Sequence, residues 1–222
     1  SFKAEKGQTV AFIGSTGSGK STAINLVPRF YDATEGEVLV DGVNVKEYTL
    51  RALHDKIGYV PQRAVMFSGT VSGNVAYGEK DGMEYTAEQV KEAVRVAQGQ
   101  EFVEKMDDTY DAHIAQGGTN VSGGQKQRLA IARAVCRRPE IYIFDDSFSA
   151  LDYKTDKLLR RALKEETGDT TSLIVAQRIG TIRDADLIIV LDEGQVVGKG
   201  THDELMKNCE VYREIAYSQL SK

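Results

Sequence analysis

Apolar residues fall along this chain in two textures. Short continuous runs stand at Val10-Ala11-Phe12-Ile13, Ile57 to Val60, Ile141-Tyr142-Ile143-Phe144, Leu173-Ile174-Val175-Ala176 and Leu187-Ile188-Ile189-Val190-Leu191. Unbroken runs of this length suit strands covered on both faces, the habit of parallel sheets. A further strand, Glu37 to Val40, is closed by Asp41-Gly42, and Glu193-Gly194 turns the chain into Gln195 to Lys199; Asp-Gly is a tight hairpin pair. The second texture is helical. It predicts a helix from Lys20 through Ala23, Ile24, Leu26 and Val27 to near Pro28-Arg29-Phe30. Others cover Thr86 to Gln98, Gln125 to Cys136 and Tyr153 to Glu166, and two short helices finish the chain.

From about Arg63 to Arg137 the strand-like runs disappear. The expected fold is therefore α/β: a mostly parallel sheet, a small antiparallel β part and an inserted helical subdomain at about residues 63–137. The core would be residues 1–62 and 138–222, all within one domain. Ser1 to Gly7 reads as a strand and turn entered midway with no initiator Met, as in an excised piece of a longer polypeptide.

Bulk composition narrows the function classes. A chain of 222 residues can bury a sizeable core. The net charge is -5 with Lys and Arg dispersed, and no basic arm or stripe argues for a nucleic-acid partner. No stretch approaches the ~20 apolar residues that span a bilayer. Cys136 and Cys209 match no metal-binding spacing and read as free thiols of a reducing compartment. His54, His113 and His202 are scattered, as surface or capping residues are.

Chemistry concentrates where the first apolar run ends. Gly14-Ser15-Thr16-Gly17-Ser18-Gly19-Lys20-Ser21 is a complete phosphate-binding loop between a strand and a helix. Its glycines let the backbone wrap phosphates with N–H groups pointing inward, and the following helix start favours negative charge. Lys20 would reach the β- and γ-phosphates, the Ser21 hydroxyl would ligate Mg²⁺, and Thr22 lies in the same first turn. The run Ile141 to Phe144 delivers Asp145 to a strand's C-terminal end, where ligands bind in open α/β sheets. Asp145 would hold Mg²⁺ through a water.

The loop alone specifies only some nucleoside triphosphate. About a hundred residues later come Ser122-Gly123-Gly124-Gln125 at the start of a helix. A phosphate loop followed by that tetrapeptide resembles the signature arrangement of the ATP-binding cassette (ABC) family, specifically the nucleotide-binding domain of an exporter half-transporter, a P-loop NTPase with a RecA-like core. The resemblance covers essentially the whole chain. Gln62 matches the family's Q-loop, whose amide oxygen can ligate Mg²⁺ and sense the γ-phosphate, and Ser149-Ala150-Leu151-Asp152 matches the D-loop. The stretch Thr70 to Gly78 and the closing Gly200 to Leu205 look like exporter cassettes.

Four positions depart from the family pattern. Asp146 stands where Glu normally polarises the attacking water, and Gln177 where His normally contacts the γ-phosphate. Ala115-Gln116 replaces a Gly-Glu pair before the signature. The aromatic residue that stacks on adenine would lie before Phe2. The resemblance implies a head-to-tail pair of cassettes around two ATP molecules on the cytoplasmic face of a membrane. This chain's Lys20, Ser21, Gln62, Asp145, Asp146 and Gln177 would form a hydrolytically weak site. Its Ser122, Gly123, Gly124 and Gln125 would serve the partner's ATP. Such a chain would pair with a second, different cassette and with a transmembrane domain of its own polypeptide. Two alternatives remain at this point: a regulatory ATP-binding clamp that never hydrolyses, and a soluble ABC ATPase.

Overall fold

The computed structural model describes residues 1–78 and 84–220. In chain order the elements begin with β1 (Thr9–Gly14), α1 (Lys20–Asn25), β2 (Leu39–Val40), β3 (Val43–Asn44), α2 (Leu50–Asp55) and β4 (Ile57–Val60). They continue with β5 (Gly69–Thr70), α3 (Val71–Val75), α4 (Ala87–Val96), α5 (Gln100–Val103), β6 (His113–Ile114), α6 (Gly123–Cys136) and β7 (Ile141–Asp145). Last come α7 (Tyr153–Glu166), β8 (Thr171–Val175), α8 (Ile179–Ile182), β9 (Leu187–Asp192), β10 (Gln195–Gly200), α9 (His202–Asn208) and α10 (Glu210–Leu220). The chain divides into one compact unit of residues 1–57, 140–146 and 169–222, and another of residues 58–139 and 147–168.

In the first unit the strands lie in the order β10-β9-β1-β8-β7. β1 pairs in parallel with both β8 and β9, β7 pairs in parallel with β8, and β10 runs antiparallel to β9. The apolar runs read from the sequence are these strands. Val10, Ala11, Ile143, Ile188 and Val190 are wholly buried, as an interior sheet requires. Asp41 and Gly42 take φ of 52° and 76°, so β2 and β3 close as a hairpin with both central residues left-handed, the twist-compatible form. The sheet is mostly parallel, with small antiparallel parts.

The second unit is built on helices. α6 packs against α3 and α4, and α4 against α7, burying Val71, Val75, Val90, Val94, Leu129 and Leu159. Thr86 caps α4 in a reciprocal capping box with Gln89, so the expected helix loses its first residue to the cap.

Four sequence expectations need correction. The strand expected over Glu37 to Val40 is only two residues long, Leu39–Val40. The strand expected at Phe2 does not form; residues 1–5 are irregular and only a turn at Lys6-Gly7 precedes β1, with the Phe2 ring edge-on to Phe12 at 5.4 Å. The first helix stops at Asn25 rather than near Phe30, because the chain tightens into turns and Arg29 goes left-handed at φ 57°. Strands also do not vanish between residues 63 and 137: β5 and β6 pair as a two-residue antiparallel ladder. A ladder that short carries no readable periodicity. Both cysteines are buried and free, and burial pushes the Cys136 thiol up to about 11. Among the described residues no helix is long and apolar enough to cross a membrane.

Candidate functional site

Strand register assembles the site in the first unit. Phe12 lies opposite Val175, and Val175 opposite Asp145. The three parallel strands therefore end on one row, releasing the loop at Gly14, the turn at Asp146 and the segment at Gln177 side by side. Main-chain bonds fasten the exits: the Asp146 N–H donates to Val175 O at 3.0 Å and the Ala176 N–H to Phe12 O at 3.1 Å. Asp146 turns out of β7 at φ 49°, a left-handed conformation that Asp tolerates better than most side chains.

The loop wraps around its own lysine. The Lys20 ammonium donates to Gly14 O at 2.9 Å, Ser15 O at 2.7 Å and Ser18 Oγ at 3.3 Å, and the residue is only 8% exposed. Burial lowers its pKa from the usual Lys range, while the carboxylates of Asp146 and Asp145 pull it back up. Ser18 is buried, its carbonyl accepting from Gly194 N–H at 3.2 Å, whereas Ser15, Thr16 and Gly17 are exposed on the rim. Gly19 precedes α1 in a left-handed conformation at φ 94°, and Ser21 and Thr22 are exposed in the first turn.

Gly14 and Gly17 are glycines for different reasons. A Cβ on Gly14 would stand 2.0 Å from the Leu191 carbonyl oxygen and 2.8 Å from Ser18 Oγ, at φ 154°. A Cβ on Gly17 would meet nothing within 4 Å, although φ is 83°. Gly14→Ala is expected to destabilise the chain by about 3 kcal/mol or more, since a backbone atom must move. Gly17→Ala should cost about 1–2 kcal/mol from the left-handed backbone alone. Denaturant midpoints of the two variants check this order; equal losses would contradict it.

Two side-chain contacts tie the carboxylates to their neighbours. The Ser21 hydroxyl donates to Asp145 Oδ1 at 2.6 Å, and the Gln177 amide donates to Asp146 Oδ2 at 2.8 Å. Asp145 and Asp146 are both nearly buried. The donor set suits a hard divalent cation: a hydroxyl and a carboxylate oxygen at adjacent positions beside a phosphate-type loop. Among the described residues no group of three or more His, Cys, Asp or Glu could hold a metal. Lys20, Ser21, Asp145, Asp146 and Gln177, proposed from separate stretches of sequence, are thus brought together in one unit.

Gln62 and the Ser122 to Gln125 segment belong to the second unit. Gln62 follows β4 and Pro61, whose carbonyl accepts from the buried Gln127 side chain of α6 at 3.1 Å. Ser122 caps α6 in a capping box: its Oγ accepts from Gln125 N–H at 3.2 Å, and Gln125 Oε1 accepts from Ser122 N–H at 2.9 Å. Gly123 has open space where a Cβ would project, and Gly124 lies against Ala150 O at 3.4 Å from that point. The sequence held a signal for the cap, Ser followed three residues later by Gln. It held none for Gln127, whose partner is a carbonyl 66 residues away.

The comparisons with known proteins agree with this geometry. A model described as ABC transporter matches residues 1–149. The chain is 51% identical over 219 residues to an uncharacterized ABC transporter ATP-binding protein of Mycobacterium tuberculosis, covering 99% of this chain and 37% of that protein. It is 42% identical over 221 residues to the ATP-dependent lipid A-core flippase of Escherichia coli strain K12, covering 100% of this chain and 38% of the flippase. A solved bacterial Atm1-family ABC exporter with ATP bound superposes with a TM-score of 0.91 at 35% identity, over 97% of this chain and 37% of the exporter chain. The chain therefore spans less than two fifths of these relatives' lengths. With the phosphate loop, the paired aspartates and the capped signature helix already placed, these matches show that the chain belongs to the ABC transporter family, as a nucleotide-binding domain homologous to those of exporters.

Proposed function

We propose that this chain is the ATP-binding half of a two-cassette exporter, with a hydrolytically weak site of its own and an intact signature offered to a different partner cassette. Residues 1–222 form one nucleotide-binding domain, in which residues 63–137 act as the helical subdomain facing the membrane segments of the same polypeptide. The observation that carries the reading is the Asp146–Gln177 hydrogen bond beside an otherwise complete loop.

Each residue then has a defined task. Main-chain N–H groups from Gly14 to Ser21 cradle the phosphates, and Lys20 exchanges its carbonyl partners for β- and γ-phosphate oxygens. Ser21 and Asp145 would hold Mg²⁺, and Gln62 is the family's candidate for a further oxygen ligand. The metal supplies charge neutralisation and orients the phosphates. Asp146 sets the base toward the attacking water but is one methylene shorter than Glu, so its carboxylate retreats by about one C–C bond. Misplacement on that scale weakens a general base. Gln177 can donate an amide proton to the γ-phosphate but cannot become a cation or carry a proton.

Ser122, Gly123, Gly124 and Gln125 face the partner's nucleotide. The Ser122 oxygen is engaged in its cap while its O–H remains a donor, so capping and anion binding are compatible. The discriminating experiment measures ATP hydrolysis by this chain alone, with its partner cassette, and with a partner paired to the Ser122→Asn variant. Asn retains the cap, which Ala would forfeit at about 1 kcal/mol. Slow hydrolysis alone, brisk hydrolysis in the pair and a loss of tenfold or more with Ser122→Asn are expected. Brisk hydrolysis by this chain alone would overturn the weak-site assignment. Complete absence of hydrolysis in the pair would favour a regulatory clamp.

A further inference from the structure

The C-terminal helix reaches the end of the sheet where the site lies. α10 packs against β1, β10, α8 and α9 of the first unit, with Tyr212 and Ala216 buried. Near its end, Gln219 extends to the segment between β8 and α8. Its Nε2 donates to the Gln177 carbonyl at 2.7 Å, and its Oε1 accepts from the Ile179 N–H at 2.9 Å. Arg178, between them, is extended at φ -102° and ψ 127°. One side-chain amide thus engages the C=O of one residue and the N–H of the next but one. These are the groups an extended segment offers to a neighbouring strand.

The chemistry requires this side chain. The clamp needs a donor and an acceptor fixed on one planar group, which only Gln and Asn amides supply, and Asn is one methylene shorter. Glu could accept from Ile179 but would set a carboxylate against the Gln177 carbonyl. The clamp acts on the backbone of the residue whose side chain reaches Asp146 Oδ2 at 2.8 Å. Fixing that backbone fixes where the Gln177 amide points.

We propose that Gln219 is a positioning residue that presents Gln177 to the γ-phosphate, so that the C-terminal helix sets how well the site tells ATP from ADP. The inference rests on the γ-phosphate role given to Gln177 above. A clamp of this kind acts only on the nucleotide that carries the third phosphate, whereas a merely structural contact would affect both nucleotides alike.

Equilibrium titration with Mg-ATP and with Mg-ADP tests it on the full 222-residue chain. The variants are Gln219→Leu, Gln219→Glu, Gln177→Ala and the double variant Gln219→Leu with Gln177→Ala. Gln219→Leu is expected to weaken ATP about three- to tenfold, the scale of one ordinary hydrogen bond, and to leave ADP within about twofold. Gln219→Glu, nearly the same size, should behave like Leu. The double variant should lose no more than Gln177→Ala alone, because the clamp acts through that residue. Parallel weakening of ATP and ADP, full additivity in the double variant, or parent-like behaviour of Gln219→Glu or Gln219→Leu would each overturn the proposal. An ATP-to-ADP ratio untouched by Gln177→Ala would overturn the γ-phosphate role itself, and the proposal with it.

Discussion

Lys20→Ala lowers the affinity for Mg-ATP by about 10²-fold or more and leaves the chain folded. The ammonium is almost buried, donates to two loop carbonyls and stands near the carboxylates of Asp145 and Asp146. Its removal therefore takes away the cation that offsets two acidic groups beside an incoming polyanion. One or two charge-assisted hydrogen bonds at about 1.5–3 kcal/mol each correspond to that loss. The carbonyls of Gly14 and Ser15 belong to a loop whose rim is exposed, so water can replace the ammonium and the fold survives. Calorimetric titration gives the affinity and thermal unfolding checks the fold. A loss below tenfold would show that the ammonium is not the anchor. Lys20→Arg should not rescue binding, because a planar fork cannot meet the Gly14 and Ser15 oxygens as a compact ammonium does.

Asp146→Glu combined with Gln177→His raises ATP hydrolysis by this chain about 10²-fold. The gain is the lower end of what a well-placed general base contributes. It is held down because position 146 is left-handed, which suits Asp better than Glu. Either single change should give much less, since the two side chains bond directly and act as a unit. A pH profile provides a second check. Gln177 does not titrate, whereas a His in its place, next to a carboxylate, gains an inflection at or above about 6.5. Equal rates for parent and double variant would mean that the limitation lies outside these two positions.

Much of this was legible because the informative residues sit at strand ends. Continuous apolar runs marked β1, β4, β7, β8 and β9 within one or two residues, and the residues directly after the β1, β7 and β8 runs, Gly14, Asp145 and Gln177, were candidates for the site. Gly14 to Ser21 and Ser122 to Gln125 carried their spacing openly. What stayed hidden was pairing between distant segments. No local pattern indicated that Lys20 folds back on Gly14 and Ser15, that Ser21 bonds Asp145, or that Gln219 clamps Gln177 and Ile179. Such contacts depend on three-dimensional register, which single-sequence periodicity does not encode. Phe2 misled for the opposite reason. It looks like a strand residue, but no neighbouring strand pairs with residues 1–5 among those described.

The three strand exits are held in line by main-chain hydrogen bonds, from Asp146 N–H to Val175 O and from Ala176 N–H to Phe12 O, to which no side chain contributes. Folding therefore exerts little selection on which side chains the exits carry. The left-handed turn at position 146 and the bond between Asp146 and Gln177 add only a local preference on top of that frame. On the weak-site reading proposed above, side chains at the exits can alter turnover while the strand frame stays put, so thermal stability alone would report such changes poorly.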